Sequence, residues 1–258
     1  MKITLVTLCY NEEDIIPFVV EYWKKMFTDG IEVSVIVYDN ESTDNSVVML
    51  DEFPFVEIRK YKSDGCNDFL LRDIKNNGWK GTDADWVIAC DMDELVFAPN
   101  LKESLETINA DVIWPRWYIG ASTEFPKYIP NVLLHKQRPL WTKFNFGNKA
   151  LIFNPRTIKE INYGIGCHTC NPITYDGSKP IVNDENSDIF CFHIDKRLSE
   201  DYFVEQMKER DKRRGVLNKL YGFGSHYSKP EEQHRLEYKK IVNEAVDIRY
   251  IINNNGRN

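Results

Sequence analysis

The feature that most constrains the fold is the alternation of short apolar runs with helix-like segments in the first part of the chain. Runs rich in β-branched and aromatic residues predict strands, and apolar residues spaced three and four apart predict helices. The predicted strands are 2–8, 32–38, 55–61 and 86–90, and the predicted helices are 14–27, 44–50 and 68–79. This order predicts an α/β fold in which a mostly parallel central sheet is flanked by helices.

Polar side chains follow three of the predicted strands. They are 9–12 after the first strand, 39–42 after the second and 91–93 after the fourth. Because ligand sites of parallel sheets lie at the carboxyl ends of the strands, these clusters predict a single pocket at one sheet edge.

The third cluster contains two carboxylates on alternate residues, Asp91 and Asp93, directly followed by Glu94. Alternate residues at the exit of a strand point the same way, so the pair can bind one divalent cation. A cation there can hold the diphosphate of a nucleotide-activated substrate. The alternative for an isolated pair is a solvated turn, and the convergence of three clusters favours the functional interpretation.

Two further side chains are candidates for the same pocket. Asp39 can accept hydrogen bonds from a ribose or a base edge, although 39–44 is equally good turn and capping sequence. Arg72, on the third predicted helix, can bind a phosphate or Asp91, and the alternative is a surface salt bridge.

Composition excludes several classes of protein. The net charge of -7 and the pI near 5.4 argue against nucleic-acid binding through a broad basic face. No apolar run approaches the roughly 18 to 20 residues of a membrane span. The N-terminus resembles a first strand rather than a signal peptide, and the six cysteines are scattered, so we expect a cytoplasmic protein with free thiols.

Several segments in order carry a resemblance to a known family. They are Leu8–Glu13, Tyr38–Asp44, Arg72–Asp73 and Ala84–Glu94, continued by 114–122, 149–155, His168 and 193–197. These segments resemble the successive signatures of family-2-like glycosyltransferases with the GT-A fold, which is Rossmann-like. The resemblance covers roughly residues 2–215 and is nearest to a bacterial branch with an Asp-x-Asp-Glu motif, similar to family 92; here Leu95 replaces the Phe of that branch.

The resemblance implies a donor site for a nucleoside diphosphate sugar, a UDP-sugar foremost, with Mn²⁺ or Mg²⁺. It implies metal ligands Asp91 and Asp93, completed by a later histidine. His193 is preferred to His168 because it closes the strand-like run 189–192; the alternative is a half-buried histidine bonded to backbone. The implied donor-binding residues are Cys9, Asn11, Glu12, Asp39, Arg72, Asp91 and Lys149, and Lys196 and Arg197 could also hold the leaving diphosphate.

The catalytic base and the stereochemical outcome stay open. The candidate bases are Asp184, Glu185, Glu124 and Glu94, with Asp184 and Glu94 put forward. The Glu-Asp or Asp-Asp base signature of family 2 is not recognisable in this chain, so both inversion and retention remain.

The remaining parts of the chain concern the acceptor and the C-terminus. Aromatic residues of 114–141, among them Trp117, Tyr118, Phe125, Tyr128 and Trp141, could form an acceptor wall or pack a loop against the sheet. We expect a GT-A domain over 1–198, with a nucleotide-sugar half 1–97 and an acceptor half 98–198, and a helical segment over 199–258.

The C-terminal segment itself is predicted to begin with a helix whose apolar stripe runs from Tyr202, Phe203 and Met207 on to Leu217 and Leu220. Its basic residues suit either an anionic membrane surface or, preferably, a solvated face. A second helix is predicted from Pro230 to about Ile252.

Three functions follow from these patterns. The first is a metal-dependent glycosyltransferase that acts on a glycan or lipid-linked acceptor in bacterial surface polysaccharide synthesis. The second is a nucleotidyltransferase, disfavoured because the loop after the first strand is acidic and lacks glycine. The third is a non-catalytic carbohydrate-binding protein of the same fold. No prediction is made for the oligomeric state.

Overall fold

The computed structural model describes residues 1–143, 148–184, 188–194 and 198–254, without the side chains of Asp184 and Asn254. The strands are Lys2–Cys9 (β1), Glu32–Asp39 (β2), Val56–Lys60 (β3), Trp86–Ala89 (β4), Glu94–Phe97 (β5), Val112–Trp114 (β6), Arg116–Gly120 (β7), Leu140–Lys143 (β8), Ile152–Phe153 (β9), Ile158–Glu160 (β10), Ile173–Thr174 (β11), Val182–Asp184 (β12), Phe190–His193 (β13) and Val246–Asp247 (β14). The helices are Ile16–Thr28 (α1), Ser46–Asp51 (α2), Asp68–Asn77 (α3), Leu101–Thr107 (α4), Leu134–Gln137 (α5), Glu200–Lys212 (α6), Val216–Tyr221 (α7), Glu231–Asn243 (α8) and Ile248–Asn254 (α9).

The larger sheet has seven strands in the order β12-β6-β9-β4-β1-β2-β3. Its pairings are parallel except the two made by β9. The register of β1 with β2 runs from Lys2 opposite Glu32 to Cys9 opposite Asp39, so the two strands end level. The predicted α/β architecture, with a mostly parallel central sheet flanked by helices, is confirmed.

A second sheet has five strands in the order β14-β8-β7-β13-β5. β4 belongs to the first sheet and β5 to the second, so residues 90–93 form the connection between the two sheets. In the second sheet β13 runs antiparallel to β5 and places His193 opposite Glu94. The acidic motif therefore lies where the two sheets meet, beside the end of β13.

Packing explains why the N-terminal elements form where the sequence predicts them. β4 is buried at every position, as expected for a central strand of a parallel sheet. The amphipathic helix α1 buries Phe18, Val19 and Trp23 in the main core. Pro17 lies in the first turn of α1, where its missing N–H costs no helical hydrogen bond.

Two predictions of helix bounds are wrong in detail. α2 begins at Ser46 after Asn45, and Asp44 accepts a hydrogen bond from the Ser46 N–H at 2.9 Å one position before the cap. The helix predicted from Pro230 to Ile252 ends at Asn243, because β14 then pairs with β8 at a sheet edge.

The predicted C-terminal apolar stripe also divides. Phe203 and Met207 of α6 form a small core with Tyr238 of α8. Leu217 and Leu220 lie on the separate helix α7 and are exposed. Within the described ranges, no helix is both long and apolar enough to cross a membrane.

Candidate active site

A cavity of about 640 Å³ lies at the carboxyl ends of β1 and β4. Such a volume is typical of small-molecule sites. Its walls come from the β1 and β4 ends, from α3, from the 166–168 turn, and from the C-terminal helices. The charged lining residues are Glu12, Asp68, Arg72, Lys75, Asp91, Asp93, Lys149, Arg210, Arg213 and Glu237, with His168, His193, His226 and His234 also lining it.

The loops after β1 and β2 are bonded to each other. The Asn11 N–H donates to Ser42 Oγ at 3.0 Å, and Asn11 Oδ1 accepts from the Thr43 N–H at 2.8 Å. Asp39 is buried and its carboxylate accepts from the Ser42 N–H at 3.2 Å, which is the turn alternative of the sequence analysis. This network holds the rim of the cavity in shape.

Of the residues predicted on these loops, Cys9 and Glu12 line the described cavity, whereas Asn11 and Asp39 do not. Burial raises the pKa of the Cys9 thiol to about 12, so the thiol is neutral near pH 7. Contacts of Cys9, Asn11, Glu12 and Asp39 with a nucleotide stay predictions.

Asp91 is bound by two buried lysines, one on each carboxylate oxygen. Oδ1 lies 2.5 Å from Lys75 Nζ and Oδ2 lies 2.5 Å from Lys149 Nζ. Burial by itself would raise the pKa of Asp91, but the ammonium groups of Lys149 and Lys75 outweigh it and lower that pKa well below 3.8. Asp91 is therefore ionised, and its charge is neutralised within the protein.

Glu94 holds both Lys149 and the backbone of Asp91 in place. Its Oε1 lies 2.5 Å from Lys149 Nζ, and its Oε2 accepts a hydrogen bond from the Asp91 N–H at 2.7 Å. The Glu94 side chain is fully buried. Both oxygens are engaged, so this geometry suits a residue that positions Lys149 better than a base that must reach an acceptor hydroxyl.

Asp93 faces a different pair of partners. Its Oδ1 lies 3.6 Å from His193 Nε2, and its Oδ2 lies 3.3 Å from Arg210 Nη2 on α6. Burial opposes ionisation, but His193 and then Arg210 hold the pKa of Asp93 at about 2. His193 thus sits beside the acidic motif, while His168 lies on the cavity wall as an exposed residue.

The donor set around Asp93 fits a divalent cation that is shared with a substrate. A carboxylate and an imidazole stand side by side, and Mg²⁺-type sites often use only one or two carboxylates together with substrate phosphates and water. No group of three or more His, Cys, Asp or Glu side chains able to hold a metal occurs in the described part of the chain. The residues present therefore fit a metal that a diphosphate would help to bind, and Asp93 and His193 are the side chains that could hold it.

The C-terminal segment covers one side of the cavity. The Arg213 guanidinium lies 3.2 Å above the centre of the Tyr10 ring. Next to it, the Cys66 N–H donates to the Arg213 carbonyl at 2.6 Å, and the Gly215 N–H donates to the Cys66 carbonyl at 2.9 Å. This bridge attaches the end of α6 to the loop before α3.

Sequence reasoning missed the cations that complete the site. Lys75, not Arg72, pairs with Asp91; Arg72 lines the cavity and bonds to Asp73 at 2.7 Å. The partnership proposed between Arg72 and Asp91 is therefore wrong. Lys75 lies one turn after Arg72 on the same side of α3, so the sequence offers no signal that separates the two. Arg210 and Arg213 belong to the basic residues for which the sequence favours a solvated face.

The predicted acceptor wall is mostly core. Trp117, Tyr118 and Trp141 are buried, whereas Phe125 is exposed and packs edge-on against Tyr202. Tyr128 donates a hydrogen bond to Glu21 at 2.7 Å. The packing alternative holds for the three buried rings.

Of the candidate bases other than Glu94, one lies outside the described cavity lining and the side chains of two are not described. Glu124 is exposed and is not part of the described cavity lining. Asp184 ends β12, opposite Trp114, and its side chain lies outside the description. Glu185, Lys196 and Arg197 lie outside the described residues. The base assignment stays a prediction.

Comparison with solved structures finds similarity at low sequence identity. S. aureus TarS is 16% identical with a TM-score of 0.45, over 81% of this chain and 39% of that chain. TarS 1–349 in complex with UDP is 13% identical with a TM-score of 0.40, over 92% and 70%. Mannosyl-3-phosphoglycerate synthase from Rubrobacter xylanophilus is 17% identical with a TM-score of 0.34, over 45% and 40%.

The chain is shorter than these proteins, spanning 65% of TarS 1–349 in one comparison and 39% of TarS in another. The comparison with curated proteins found no match. The family model described as glycosyl transferase family 2 matches residues 4–167, more than half of the chain. That region contains most of β1, all of β2, β3 and β4, the acidic motif and both buried lysines, so the chain belongs to glycosyl transferase family 2.

Proposed function

We propose that this glycosyltransferase moves a hexosyl group from a nucleoside diphosphate sugar, with a divalent cation, to a hydroxyl of a glycan or lipid-linked saccharide. The observation that carries the proposal is the composition of one cavity, where the carboxylates of Asp91 and Asp93 meet the cations Lys75, Lys149 and Arg210. Carboxylates alone would repel a diphosphate, whereas this mixture can bind both a diphosphate and its counterion.

In the proposed reaction, the bond between the anomeric carbon and the diphosphate oxygen breaks as the acceptor oxygen bonds to that carbon. Negative charge builds on the leaving diphosphate. Lys149 and Lys75, held at the cavity floor, would offset that charge, and Arg210 and Arg213 would do so from the α6 side. A divalent cation held by Asp93 and His193 would supply further charge stabilisation.

The acceptor hydroxyl must lose its proton as it attacks. We propose Asp184 as the base if the reaction inverts configuration, since Glu94 is occupied by Lys149 and the Asp91 backbone. We also propose that residues 199–258 form an extension of a domain over 1–198, because α6 and the turn after it supply Arg210 and Arg213 to the cavity.

The proposal also includes a cellular role. The resemblance to a bacterial branch near family 92 supports a role in surface polysaccharide synthesis on the cytoplasmic side of the membrane. This role does not require peripheral contact with the membrane. UDP is the first nucleotide to test, and UDP and UDP-GlcNAc are the ligands named with TarS 1–349.

Calorimetric titration tests the donor site. UDP, GDP and CDP are titrated into the protein with Mn²⁺ and again with EDTA. We expect one nucleotide to bind with Mn²⁺ and to lose most of its affinity with EDTA. Failure of all three to bind in either condition would refute the donor-site assignment.

A pair of variants tests catalysis. Asp93→Asn should abolish sugar transfer while the circular dichroism spectrum stays unchanged, because the cavity loses a charged metal ligand. The matched control is Asp51→Asn, an exposed position at the end of α2 outside the described cavity lining. Full transfer by Asp93→Asn would refute the metal assignment, and acceptor binding without any transfer by the unmodified protein would identify a non-catalytic carbohydrate-binding protein.

A further inference from the structure

We propose that Lys75 and Lys149 pair with Asp91 before the donor binds and exchange it for the diphosphate when the donor binds, so that the divalent cation enters with the nucleotide and not before it. This inference rests on the proposed function. It assigns a positioning role to Lys75 that the acidic motif alone does not indicate.

The two lysines saturate Asp91. Each carboxylate oxygen has its own ammonium partner at 2.5 Å. The Asp91 side chain is nevertheless 35% exposed and faces the cavity. A cation that approaches from the cavity therefore meets a carboxylate whose charge is already neutralised.

The two lysines differ in the ion pairs that remain to them if Asp91 no longer pairs with them. Lys149 keeps Glu94, which lies 2.5 Å away and is fully buried. Asp91 is the one ion-pair partner of Lys75 among the described residues, and the Lys75 side chain is only 2% exposed. A buried ammonium without a partner is strongly unfavourable. Lys75 is thus the group that resists metal binding to Asp91.

A nucleoside diphosphate removes that resistance. Its phosphate oxygens can pair with Lys75 and Lys149, both of which line the cavity, and Asp91 is then released to the cation. Three carboxylates, Asp91, Asp93 and Glu94, are balanced here by Lys75, Lys149 and Arg210. Binding of the metal alone would make the net charge of this group positive, and binding of the diphosphate alone would make it negative. Binding of both together keeps the net charge close to zero.

The exchange predicts reciprocal coupling. UDP should tighten Mn²⁺ binding, and Mn²⁺ should tighten UDP binding by the same factor, because the two effects belong to one thermodynamic cycle. Couplings between sites commonly reach about 5-fold to 150-fold, and an exchange of two ion pairs should give about tenfold or more.

The test measures Mn²⁺ affinity without turnover, from the electron paramagnetic resonance signal of free Mn²⁺, with and without UDP. Lys75→Met removes the charge at nearly constant volume. We expect it to bind Mn²⁺ alone about tenfold more tightly than the unmodified protein does, because Oδ1 of Asp91 no longer has an ammonium partner. Lys75→Arg keeps the charge and should not gain affinity. Lys60→Met, an exposed position in β3 outside the described cavity lining, is the matched control and should bind Mn²⁺ like the unmodified protein.

The outcomes separate the inference from the proposed function. If the unmodified protein binds Mn²⁺ equally well with and without UDP while UDP itself binds, the exchange is refuted and the donor site stands. Tighter Mn²⁺ binding by Lys75→Met, in a protein that binds none of the three nucleotides, would support the block on Asp91 and refute the donor site. If Lys75→Met does not fold, the same comparison with Lys75→Gln decides, and no gain in Mn²⁺ affinity refutes the proposal.

Discussion

Replacing Gly65 by alanine should detach the C-terminal segment from the donor cavity. Gly65 has φ +123°, a conformation that L residues rarely adopt, and a Cβ there would lie 2.1 Å from the Arg213 carbonyl oxygen. That oxygen accepts the hydrogen bond from the Cys66 N–H. Backbone atoms cannot move aside as a flexible side chain does, so the bridge between Cys66 and residues 213–215 must open.

The magnitude follows from these contacts. Alanine in such a backbone conformation costs about 1–3 kcal/mol, and two backbone hydrogen bonds contribute about 0.5–1.5 kcal/mol each. We therefore expect the free energy of unfolding to fall by about 2–6 kcal/mol. Arg213 would also leave Tyr10 and the cavity. Loss of one charged contact of about 1.5–3 kcal/mol weakens nucleotide binding by about tenfold to a hundredfold.

The assay combines urea unfolding with calorimetric titration of UDP and Mn²⁺. Gly81→Ala is the matched control, because Gly81 also has a positive φ, +88°, but a Cβ there meets nothing within 4 Å. The control should lose some stability through its backbone conformation and keep its nucleotide affinity. Equal stability and equal affinity of the two variants would refute the reasoning.

Three further predictions concern charge. The pKa of Asp93 is lowered to about 2 in the folded protein, so above its unfolded pKa of about 3.9 the ionised side chain stabilises the fold by about 2 kcal/mol. That contribution is lost as the pH falls from about 4 to 2. Urea unfolding of Asp93→Asn should therefore lack this acid-dependent loss of stability. Burial lowers the pKa of His135 to about 3, so stability should fall by about 1.4 kcal/mol per pH unit below about 6.5, and a His135→Gln protein with the same slope would contradict this. Arg213→Met should weaken UDP binding about tenfold and reduce its salt dependence, and unchanged calorimetric affinity would remove Arg213 from the donor site.

The parts of the fold that the sequence predicts best are those with a strong local signal. β4 is a continuous apolar run, β1 and β2 are rich in β-branched residues, and the structure places each strand within one residue of its predicted bounds. The same signal selected His193, because a strand-like run ends at that residue and the antiparallel pairing with β5 brings it beside Asp93.

The parts that could not be predicted depend on contacts between distant residues. Arg72 and Lys75 lie on the same side of α3, and only the packing of that helix decides which one reaches Asp91. Arg210 is separated from Asp93 by more than a hundred residues, and no periodicity in α6 indicates that contact. The break after α8 has a similar origin, since β14 forms where the edge of β8 offers backbone partners.

The residues that surround the acidic motif come from two separate parts of the chain. The family match ends at residue 167, but His193 and Arg210, the partners that lower the pKa of Asp93, lie beyond it. The matched region therefore supplies the acidic motif with Lys75 and Lys149, and the later chain sets the charge around Asp93. A fragment over 1–198 would keep Asp91 neutralised but would leave Asp93 without its guanidinium partner. Metal and nucleotide affinities of this protein consequently have to be measured on the full chain, because the balance that controls them is completed by α6.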